Sequence, residues 1–373
     1  MPRGWGKRVP VKFRCERDVL VEALAMAGRA STTRNALPVL SGVKLTLTGD
    51  RLSVTGSDLE LTITVTIDVA GAADGIAVLP AKLAADIVRH FEPGAIEIDA
   101  TGERPRVSGG RSEFFLNSIP ADEYPARHEA VGESVTLAAG DLAEGLRQVV
   151  KAASTDDSRP VLTGVLMTSE GEGLRLVSTD SYRLAVRDLP GAAVLKAGQQ
   201  VLVPSKALNE VARILGEDDD VSLVLGDNDV TFEVGSVSVS TQLIQGDFPD
   251  YGKLIPQERP SALVVNRQLF MDALRRVKLM AAEHTPVRLG MSTDALVLRT
   301  VNTDLGEAVE ELDASYQGEE LSVAFNPEFL LHGLEVTPGD DVSVESTDAS
   351  KPAMLRAVDT DEFLYLLMPV RVS

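Results

Sequence analysis

The stretch PVLSGV at residues 38–43 decides the architecture of the chain, because the chain repeats it. It returns as PVLTGV at residues 160–165 and, more faintly, as PVRLG at residues 286–290. A Ser-Asp or Thr-Asp pair follows each copy at a similar offset: Ser57-Asp58, Thr179-Asp180 and Thr303-Asp304. A spacing of a little over 120 residues equals one whole domain, so the sequence predicts three domains of one design.

Each third of the chain also repeats the same order of secondary-structure signals. A short strand leads into an amphipathic helix, whose apolar stripe in the first third is Leu20, Ala23, Leu24 and Ala27. Alternating strands, a second helix and further strands complete the unit. The predicted fold class is therefore α+β, with two helices and antiparallel sheets in each domain. The predicted segments are a disordered extension at 1–10, with a start at Val11 as the alternative, and domains at 11–130, 134–257 and 261–373.

Composition argues against several classes of protein. The chain has 373 residues, 44% of them hydrophobic, no run of about 18 apolar residues that could span a bilayer, and one cysteine, Cys15. It lacks the Gly-rich phosphate loop, the HExxH and CxxC metal motifs and the Gly-x-Ser-x-Gly elbow. Because Asp58, Asp180 and Asp304 occur in all three domains, we interpret them as turn caps rather than catalytic carboxylates. The sequence predicts a cytoplasmic protein without enzyme activity, cofactor or metal.

The net charge of −20 is unevenly distributed along the chain. Six predicted helix windows carry 13 Lys and Arg against 11 Asp and Glu: residues 17–34, 81–92, 140–152, 205–216, 266–283 and 326–336. The helices are therefore slightly basic, and the strands and loops carry the whole acidic excess. This pattern has two interpretations: either the helices face a polyanion, or long basic side chains cover ordinary helix surfaces.

Five stretches along the repeat resemble the bacterial DNA polymerase III beta subunits, the sliding clamp family of replication. They are Lys12-Phe13, residues 37–42, residues 179–185, Phe248-Pro249-Asp250-Tyr251 and residues 366–371. The resemblance runs from about Val11 to Val372 and implies a DNA clamp fold, with two chains joined head to tail into a dimeric ring. Helices would line the hole, where Lys and Arg meet DNA phosphates, and sheets would form the outer wall.

The resemblance also implies which residues contact DNA and which close the ring. The residues expected to face duplex DNA, without reading its sequence, are Arg34, Arg159 and Lys206. The residues expected at the dimer interface are Phe114 and Leu116, on one face of a predicted strand, and Lys278 and Leu279 of the second chain. The sixth helix window has no Lys or Arg and is expected to contribute little to DNA contact.

A further implied site is a hydrophobic pocket for partner peptides between the second and third domains. Its residues are Leu162, Thr179, Ser181, Tyr182, Arg183, Leu184, Pro249, Lys253, Leu254, Asn326, Phe329, Pro352, Leu366, Leu367, Met368, Pro369, Val370 and Arg371. Tyr182 and Arg183 are expected to frame the rim. Two positions depart from the family pattern: Ser181, where glycine is frequent, and Lys253, where arginine is. From its residues alone, the apolar C-terminus is either a core strand or one side of a groove.

The expected partners of such a protein are duplex DNA, a second copy of the chain and proteins that carry a clamp-binding motif. The last group includes the DNA polymerase III alpha subunit and the clamp loader. One alternative function stays open at this point. The chain could be a diverged second clamp copy that serves as a protein-interaction scaffold without a main role in replication.

Overall fold

The computed structural model describes residues 11–32, 37–117, 119–125, 130–216, 220–281 and 285–371. The helices are α1 (Arg17–Gly28), α2 (Ala81–His90), α3 (Ala139–Val149), α4 (Ser205–Ile214), α5 (Arg267–Lys278) and α6 (Pro327–Val336). The strands are β1 (Lys12–Glu16), β2 (Gly42–Thr48), β3 (Arg51–Ser57), β4 (Leu61–Asp68), β5 (Ala70–Ala73), β6 (Gly75–Pro80), β7 (Ala95–Asp99), β8 (Arg106–Gly109), β9 (Ser112–Phe115), β10 (Ser134–Ala138), β11 (Gly164–Glu170), β12 (Gly173–Thr179), β13 (Arg183–Leu189), β14 (Gln200–Pro204), β15 (Asp220–Leu225), β16 (Asp229–Val234), β17 (Val237–Gln242), β18 (Ser261–Asn266), β19 (Val287–Ser292), β20 (Ala295–Asn302), β21 (Gly306–Asp313), β22 (Ser315–Gln317), β23 (Leu321–Phe325), β24 (Asp341–Ser346), β25 (Ala353–Ala357) and β26 (Phe363–Leu367).

The repeated Pro-Val-Leu stretch forms a one-turn 3-10 helix in the first two repeats, at Pro38–Ser41 and Pro160–Thr163. Proline suits the first position of such a turn because its fixed φ matches the turn and its missing N–H would be unpaired there. Leu40 and Leu162 from these turns are buried. The fainter third copy forms no such turn, and its Val287 begins β19 directly.

The first compact unit contains the described residues up to Ala139 together with Arg213–Leu243. It holds a five-stranded sheet in the order β5-β1-β7-β8-β9 and an eight-stranded sheet in the order β10-β15-β16-β17-β4-β3-β2-β6. Helix α1 packs against α2, β3 and β4. Its predicted apolar stripe is buried along its whole length, and its N-terminus has no side-chain cap. Packing of this stripe, rather than capping, therefore stabilises the helix.

The second compact unit contains Gly140–Ala212 and the described residues from Ile244 onward. It holds a nine-stranded sheet in the order β14-β11-β12-β13-β26-β25-β24-β18-β22 and a four-stranded sheet in the order β21-β20-β19-β23. Helix α5 packs against α6, β20 and β21. The Asn266 Oδ1 atom caps α5 by accepting a hydrogen bond from Leu269 N at 3.1 Å. No helix in the described part of the chain is long and apolar enough to cross a membrane.

Two antiparallel ladders join successive repeats. Strand β17 of the second repeat pairs with β4 of the first, for example at Val239↔Ile63. Strand β26, the last of the third repeat, pairs with β13 of the second, for example at Tyr365↔Ala185. Two strands correspond to these paired strands but take part in neither ladder. Strand β9 is the last strand of the first repeat, as β17 and β26 are of theirs. Strand β21 of the third repeat corresponds to β4 and β13. Each is the outermost strand of its sheet, so both present an open edge within the described chain.

The repeated aspartates cap turns in two of the three repeats. Asp58 Oδ1 accepts hydrogen bonds from the backbone N–H groups of the second and third residues after it, at 3.1 and 2.8 Å. Asp180 Oδ1 does the same at 2.9 and 3.0 Å. In the third repeat the cap is Asn302, whose Oδ1 accepts from Asp304 N at 2.9 Å and Leu305 N at 3.2 Å. The predicted role is therefore confirmed for Asp58 and Asp180 and wrong for Asp304.

Candidate peptide pocket and nucleic-acid interface

One apolar cluster in the nine-stranded sheet forms the buried floor of the candidate pocket. Leu184 on β13 and Leu366 on β26 belong to this cluster and lie opposite each other in the ladder. Phe248 and Tyr251 of the Phe-Pro-Asp-Tyr stretch pack against it. Three other predicted pocket residues are also buried: Leu162, Thr179 and Leu367. These side chains therefore support the site from below and present little surface of their own.

The C-terminal segment changes from core strand to surface at Met368. Strand β26 ends at Leu367, whereas Met368 and Val370 are 38% and 37% exposed. Met368 N donates a hydrogen bond to Tyr182 O at 2.8 Å, and Val370 N donates to Ala324 O at 2.8 Å. Each interpretation of the apolar C-terminus therefore holds for one part of it. The residues up to Leu367 form a core strand, and those from Met368 form an exposed apolar border.

Arg183 lies beneath the rim of the pocket and is 8% exposed. Its Nε donates to Asp180 Oδ2 at 2.9 Å, and its Nη1 lies 2.7 Å from His332 Nδ1 and 3.3 Å from the Tyr365 hydroxyl. The guanidinium carbon lies 4.4 Å from the centroid of the Phe329 ring. The expectation that Arg183 frames the rim is therefore wrong, because neighbouring protein groups already surround it.

His332 and Tyr365 are residues of the site that sequence reasoning missed. Burial and the Arg183 guanidinium lower the pKa of His332, so its neutral imidazole can accept the hydrogen bond through Nδ1. Burial raises the pKa of the Tyr365 hydroxyl to about 12. No motif includes His332. The signal that could have found it is its position three residues after Phe329, which places both side chains on one face of α6.

Three predicted pocket residues meet around the start of α6. The rings of Tyr182 and Phe329 stack with their centroids 6.4 Å apart and an interplanar angle of 28°. Tyr182 is exposed, and its position is compatible with the expectation that it frames the rim. Asn326 Oδ1 caps α6 by accepting a hydrogen bond from Glu328 N at 2.9 Å. The turn before β13 and the first turn of α6 thus form one aromatic wall.

A separate cavity holds three other predicted pocket residues. Lys253, Leu254 and Pro352 line a cavity of about 320 Å³ together with Lys351. Lys253 Nζ lies 2.8 Å from Asp250 Oδ2. The remaining predicted pocket residues are at least partly exposed: Ser181, Pro249, Pro369 and Arg371. Most of the predicted set is therefore divided between a buried floor, an aromatic wall, an exposed apolar border and this separate cavity.

Ser181 has a left-handed backbone conformation, with φ 81°. Its N–H donates to Thr179 Oγ1 at 3.1 Å, and its Oγ accepts from Arg159 Nη1 at 3.1 Å. Leu59, at the matching turn of the first repeat, has φ 84°. The conformation therefore belongs to the repeated turn, and it is one that glycine adopts without steric strain.

Replacing Ser181 with glycine is expected to raise the midpoint of thermal unfolding by about 1 to 3 °C. Relief of a left-handed serine contributes about 1 kcal/mol, and loss of the exposed hydrogen bond from Arg159 offsets part of it. Scanning calorimetry is the measurement. The control is Ser236→Gly, which changes an exposed serine without a positive φ and should not stabilise the protein. A midpoint for Ser181→Gly at or below that of the parent chain would contradict the prediction.

The three residues expected at DNA have different surroundings. Lys206 is exposed in the first turn of α4. Arg159 Nε lies 3.4 Å from Asp156 Oδ2, and its guanidinium also reaches Ser181. Arg34 lies outside the described residues. Arg159 is therefore placed against the candidate pocket, a position that the sequence did not predict.

The acidic residues of α6 neutralise basic residues of neighbouring segments. Glu335 carboxylate oxygens lie 3.4 Å from Lys151 Nζ and 3.5 Å from Arg275 Nη2. Glu328 Oε1 lies 2.5 Å from Lys278 Nζ. This helix therefore reduces the positive charge around it, which fits the expectation that it contributes little to DNA contact.

The structure corrects one of the expected interface residues. Leu116 is 5% exposed within its own chain, whereas Phe114 and Phe115 are both exposed. Strand β9 ends at Phe115, and Leu116 N donates a hydrogen bond to Pro105 O at 2.8 Å within the same domain. Leu279, directly after α5, is 79% exposed, and Lys278 beside it is paired with Glu328. Phe115 therefore replaces Leu116 among the candidate interface residues.

All three repeats match the domains of one protein family. Residues 11–128, 136–250 and 252–371 match the N-terminal, central and C-terminal domains of the DNA polymerase III beta subunit. The chain belongs to this family, the bacterial beta sliding clamps. The clamp is 37% identical to the beta sliding clamp of Streptomyces coelicolor. The alignment is 377 residues long and covers 97% of this chain and 100% of the relative. The clamp is 31% identical to that of Bacillus subtilis over 380 residues, with the same coverage.

Solved structures agree with this assignment. The clamp superposes on the Bacillus subtilis sliding clamp with a TM-score of 0.91 at 30% identity, over 97% of this chain and 100% of the other. It superposes on a Pseudomonas aeruginosa clamp bound to griselimycin with a TM-score of 0.90 at 31% identity and the same coverage. The predicted three-domain clamp fold and the predicted function as a DNA sliding clamp are confirmed. The alternative of a scaffold outside replication is not favoured.

Proposed function

We propose that two copies of this clamp close head to tail into a ring, which encircles duplex DNA in the cytoplasm and tethers the replicative polymerase and other DNA-processing proteins. Such a ring provides processivity and catalyses no reaction itself. The observation that carries the proposal is the pair of open strand edges, β9 and β21. The test is whether the loaded clamp stays on circular DNA and leaves linear DNA.

Pairing between these two edges is supported by two junctions of the same kind that the chain already contains. In the first junction β17 pairs antiparallel with β4, and in the second β26 pairs antiparallel with β13. In both, one partner is the last strand of its repeat. The other partner belongs to the preceding repeat, where it is the third strand after the first helix. A third junction of this kind needs β9 from one chain and β21 from another. An open strand edge can pair with a strand of a second copy. Each chain has two such edges, and head-to-tail pairing of two chains would use all four.

Exposed apolar side chains near these edges support the pairing. Phe114 and Phe115 lie on β9, and Val309 lies on β21, with Leu305 just before that strand and Leu279 just after α5. Exposed apolar groups beside an open strand edge mark an interaction surface at that edge. Covering them contributes about 25 cal/mol per Å² of apolar surface removed from water.

The helix surfaces supply the proposed contact with DNA. The predicted helix windows are slightly basic, while the rest of the chain carries the acidic excess. Duplex DNA presents one phosphate charge about every 1.7 Å of its axis. Lys and Arg contacts to phosphate do not read sequence, so they suit a protein that slides along the duplex. Acidic outer surfaces would discourage DNA from binding elsewhere.

Replacing Lys206 with glutamate is expected to reduce the salt dependence of DNA binding. Each lost phosphate contact lowers the slope of log K against log salt by roughly 0.9, so the double variant with Arg34→Glu should lose about 2. Fluorescence anisotropy of a labelled duplex over a salt series is the measurement, with light scattering to show that dimers persist. Lys196→Glu, which changes an exposed lysine by the same charge, is the control. An unaltered slope in the double variant would place Arg34 and Lys206 away from DNA.

The pocket supports the proposed binding of partner proteins. It combines an apolar floor around Leu184 and Leu366 with an aromatic wall of Tyr182 and Phe329 and an exposed border at Met368. A short peptide with a glutamine and two or three apolar residues can bury its apolar side chains there, and methionine adapts to varied shapes. The proposed partners that carry such a peptide are the DNA polymerase III alpha subunit, the clamp loader and other proteins with this motif.

A further inference from the structure

Two arginines face each other on the open surface of the four-stranded sheet. Arg288 on β19 lies directly opposite Arg299 on β20, and Ala324 on β23 lies opposite Arg288 on its other side. Their neighbours Leu289 and Leu298 are fully buried, whereas both arginines are exposed. Alternation along the strands therefore places the two guanidinium groups on the same solvent-facing side of the sheet.

A cavity of about 400 Å³ surrounds this arginine pair. Its lining is Thr285, Pro286, Arg288, Arg299, Val301 and Ala324. The site thus combines two cationic groups with apolar surface from Pro286, Val301 and Ala324. Such a combination fits a side chain that has a short aliphatic stem and an anionic end.

The charge of this cavity is incompletely balanced. Like charges directly opposite each other in a sheet are destabilising. Arg299 Nε lies 2.5 Å from Glu307 Oε1, but Arg288 has no ion-pair or hydrogen-bond partner among the described residues. In a chain with a net charge of −20, a surface cavity with an unbalanced positive charge favours an anionic ligand.

The cavity adjoins the C-terminal border of the peptide pocket. Ala324, one of its lining residues, accepts the hydrogen bond from Val370 N at 2.8 Å. Asn326, the cap of α6 in the aromatic wall, follows Ala324 by two residues, or about 7 Å along an extended chain. A peptide held in the pocket could therefore reach the cavity with two or three residues beyond its apolar anchors.

We infer that Arg288 and Arg299 bind the carboxylate of an acidic residue that flanks the apolar motif of a partner peptide. A guanidinium can hold a carboxylate through two parallel hydrogen bonds, which fixes its orientation as well as its charge. This inference rests on the proposed peptide pocket and adds to it a preference for acidic flanking sequence. Apolar residues would anchor the peptide, and the arginine pair would select among peptides with the same anchors.

Three peptides that share one glutamine and apolar core test the inference. One has two serines on each side of the core, one has two aspartates before it, and one has two aspartates after it. Affinity is measured by calorimetry for the full-length clamp, for Arg288→Gln and for a control, Arg51→Gln. Arg51 is an exposed strand arginine with its own partner, Asp68 at 3.7 Å, and it lies in the first repeat.

One of the aspartate peptides is expected to bind the parent clamp about 3- to 10-fold more tightly than the serine peptide. Arg288→Gln should remove this gain and leave the affinity of the serine peptide unchanged, while Arg51→Gln should keep the gain. Equal binding of all three peptides, or a gain that survives Arg288→Gln, overturns the inference and leaves the pocket in place. If no peptide binds the parent clamp, the proposed pocket and the inference both fail.

Discussion

Leu279→Asp is expected to convert the dimeric clamp into monomers. Leu279 is 79% exposed in the single chain, so the substitution should not disturb the fold of its own domain. In the proposed ring the same position is covered by the second chain, and a carboxylate placed there would be buried without a partner. Leu116→Asp is a poorer test, because Leu116 is already buried within its own chain.

The expected effect is large because the proposed ring would contain this contact twice. An uncompensated buried charge costs about 3 to 5 kcal/mol, which raises a dissociation constant by about 150- to 5,000-fold for each contact. Light scattering should give twice 39.8 kDa for the parent clamp and 39.8 kDa for the variant. Val358→Asp, which places the same charge at an exposed valine between β25 and β26, should remain a dimer. A dimeric Leu279→Asp at micromolar concentration would rule out this position as part of the ring contact.

Truncation after Met368 is expected to abolish binding of a clamp-binding peptide. It removes the part of the exposed apolar border that follows Met368, including Val370, and with it the hydrogen bond from Val370 N to Ala324 O. Strand β26 ends at Leu367, so the nine-stranded sheet keeps all its strands. The dimer should persist, because the proposed ring contacts involve β9 and β21 instead.

A milder variant separates loss of the pocket from loss of structure. Met368→Ala is expected to cost about 1 to 3 kcal/mol of peptide binding, which is about 5- to 150-fold in the dissociation constant. Val358→Ala, at an exposed valine elsewhere in the third repeat, should leave peptide affinity unchanged. Calorimetry with the serine-flanked peptide gives both values. Full affinity after truncation would show that partners dock elsewhere on the clamp.

The fold could be predicted largely from the sequence because its main signals are local. The repeat of about 120 residues reveals the three domains, and spacing within one helix identifies the buried stripe of α1. One detail of the fold that the sequence did not predict, the residue that caps the turn in the third repeat, also has a local cause. Asn302 and Asp304 are both turn-capping residue types two positions apart, and sequence alone does not decide which of them caps the turn.

The candidate site was harder to predict because its contacts join distant parts of the chain. The groups that surround Arg183 include His332 and Tyr365, which are 149 and 182 residues away. Family resemblance identified Arg183 but not its burial. The position of Leu116 likewise depends on where β9 ends, which alternation within four residues does not define. The arginine pair at Arg288 and Arg299 depends on strand register, which appears only in the folded sheet.

The most direct test of the clamp as a closed ring is its retention on DNA of defined topology. The clamp is loaded onto a nicked circular plasmid by a bacterial clamp loader and ATP, separated from free protein by gel filtration, and divided into two samples. A restriction enzyme linearises the plasmid in one sample. A ring that encircles the duplex should stay on the circle and slide off the ends of the linear form. Equal retention on circular and linear plasmid would mean that the clamp holds DNA by surface contact and not by encircling it.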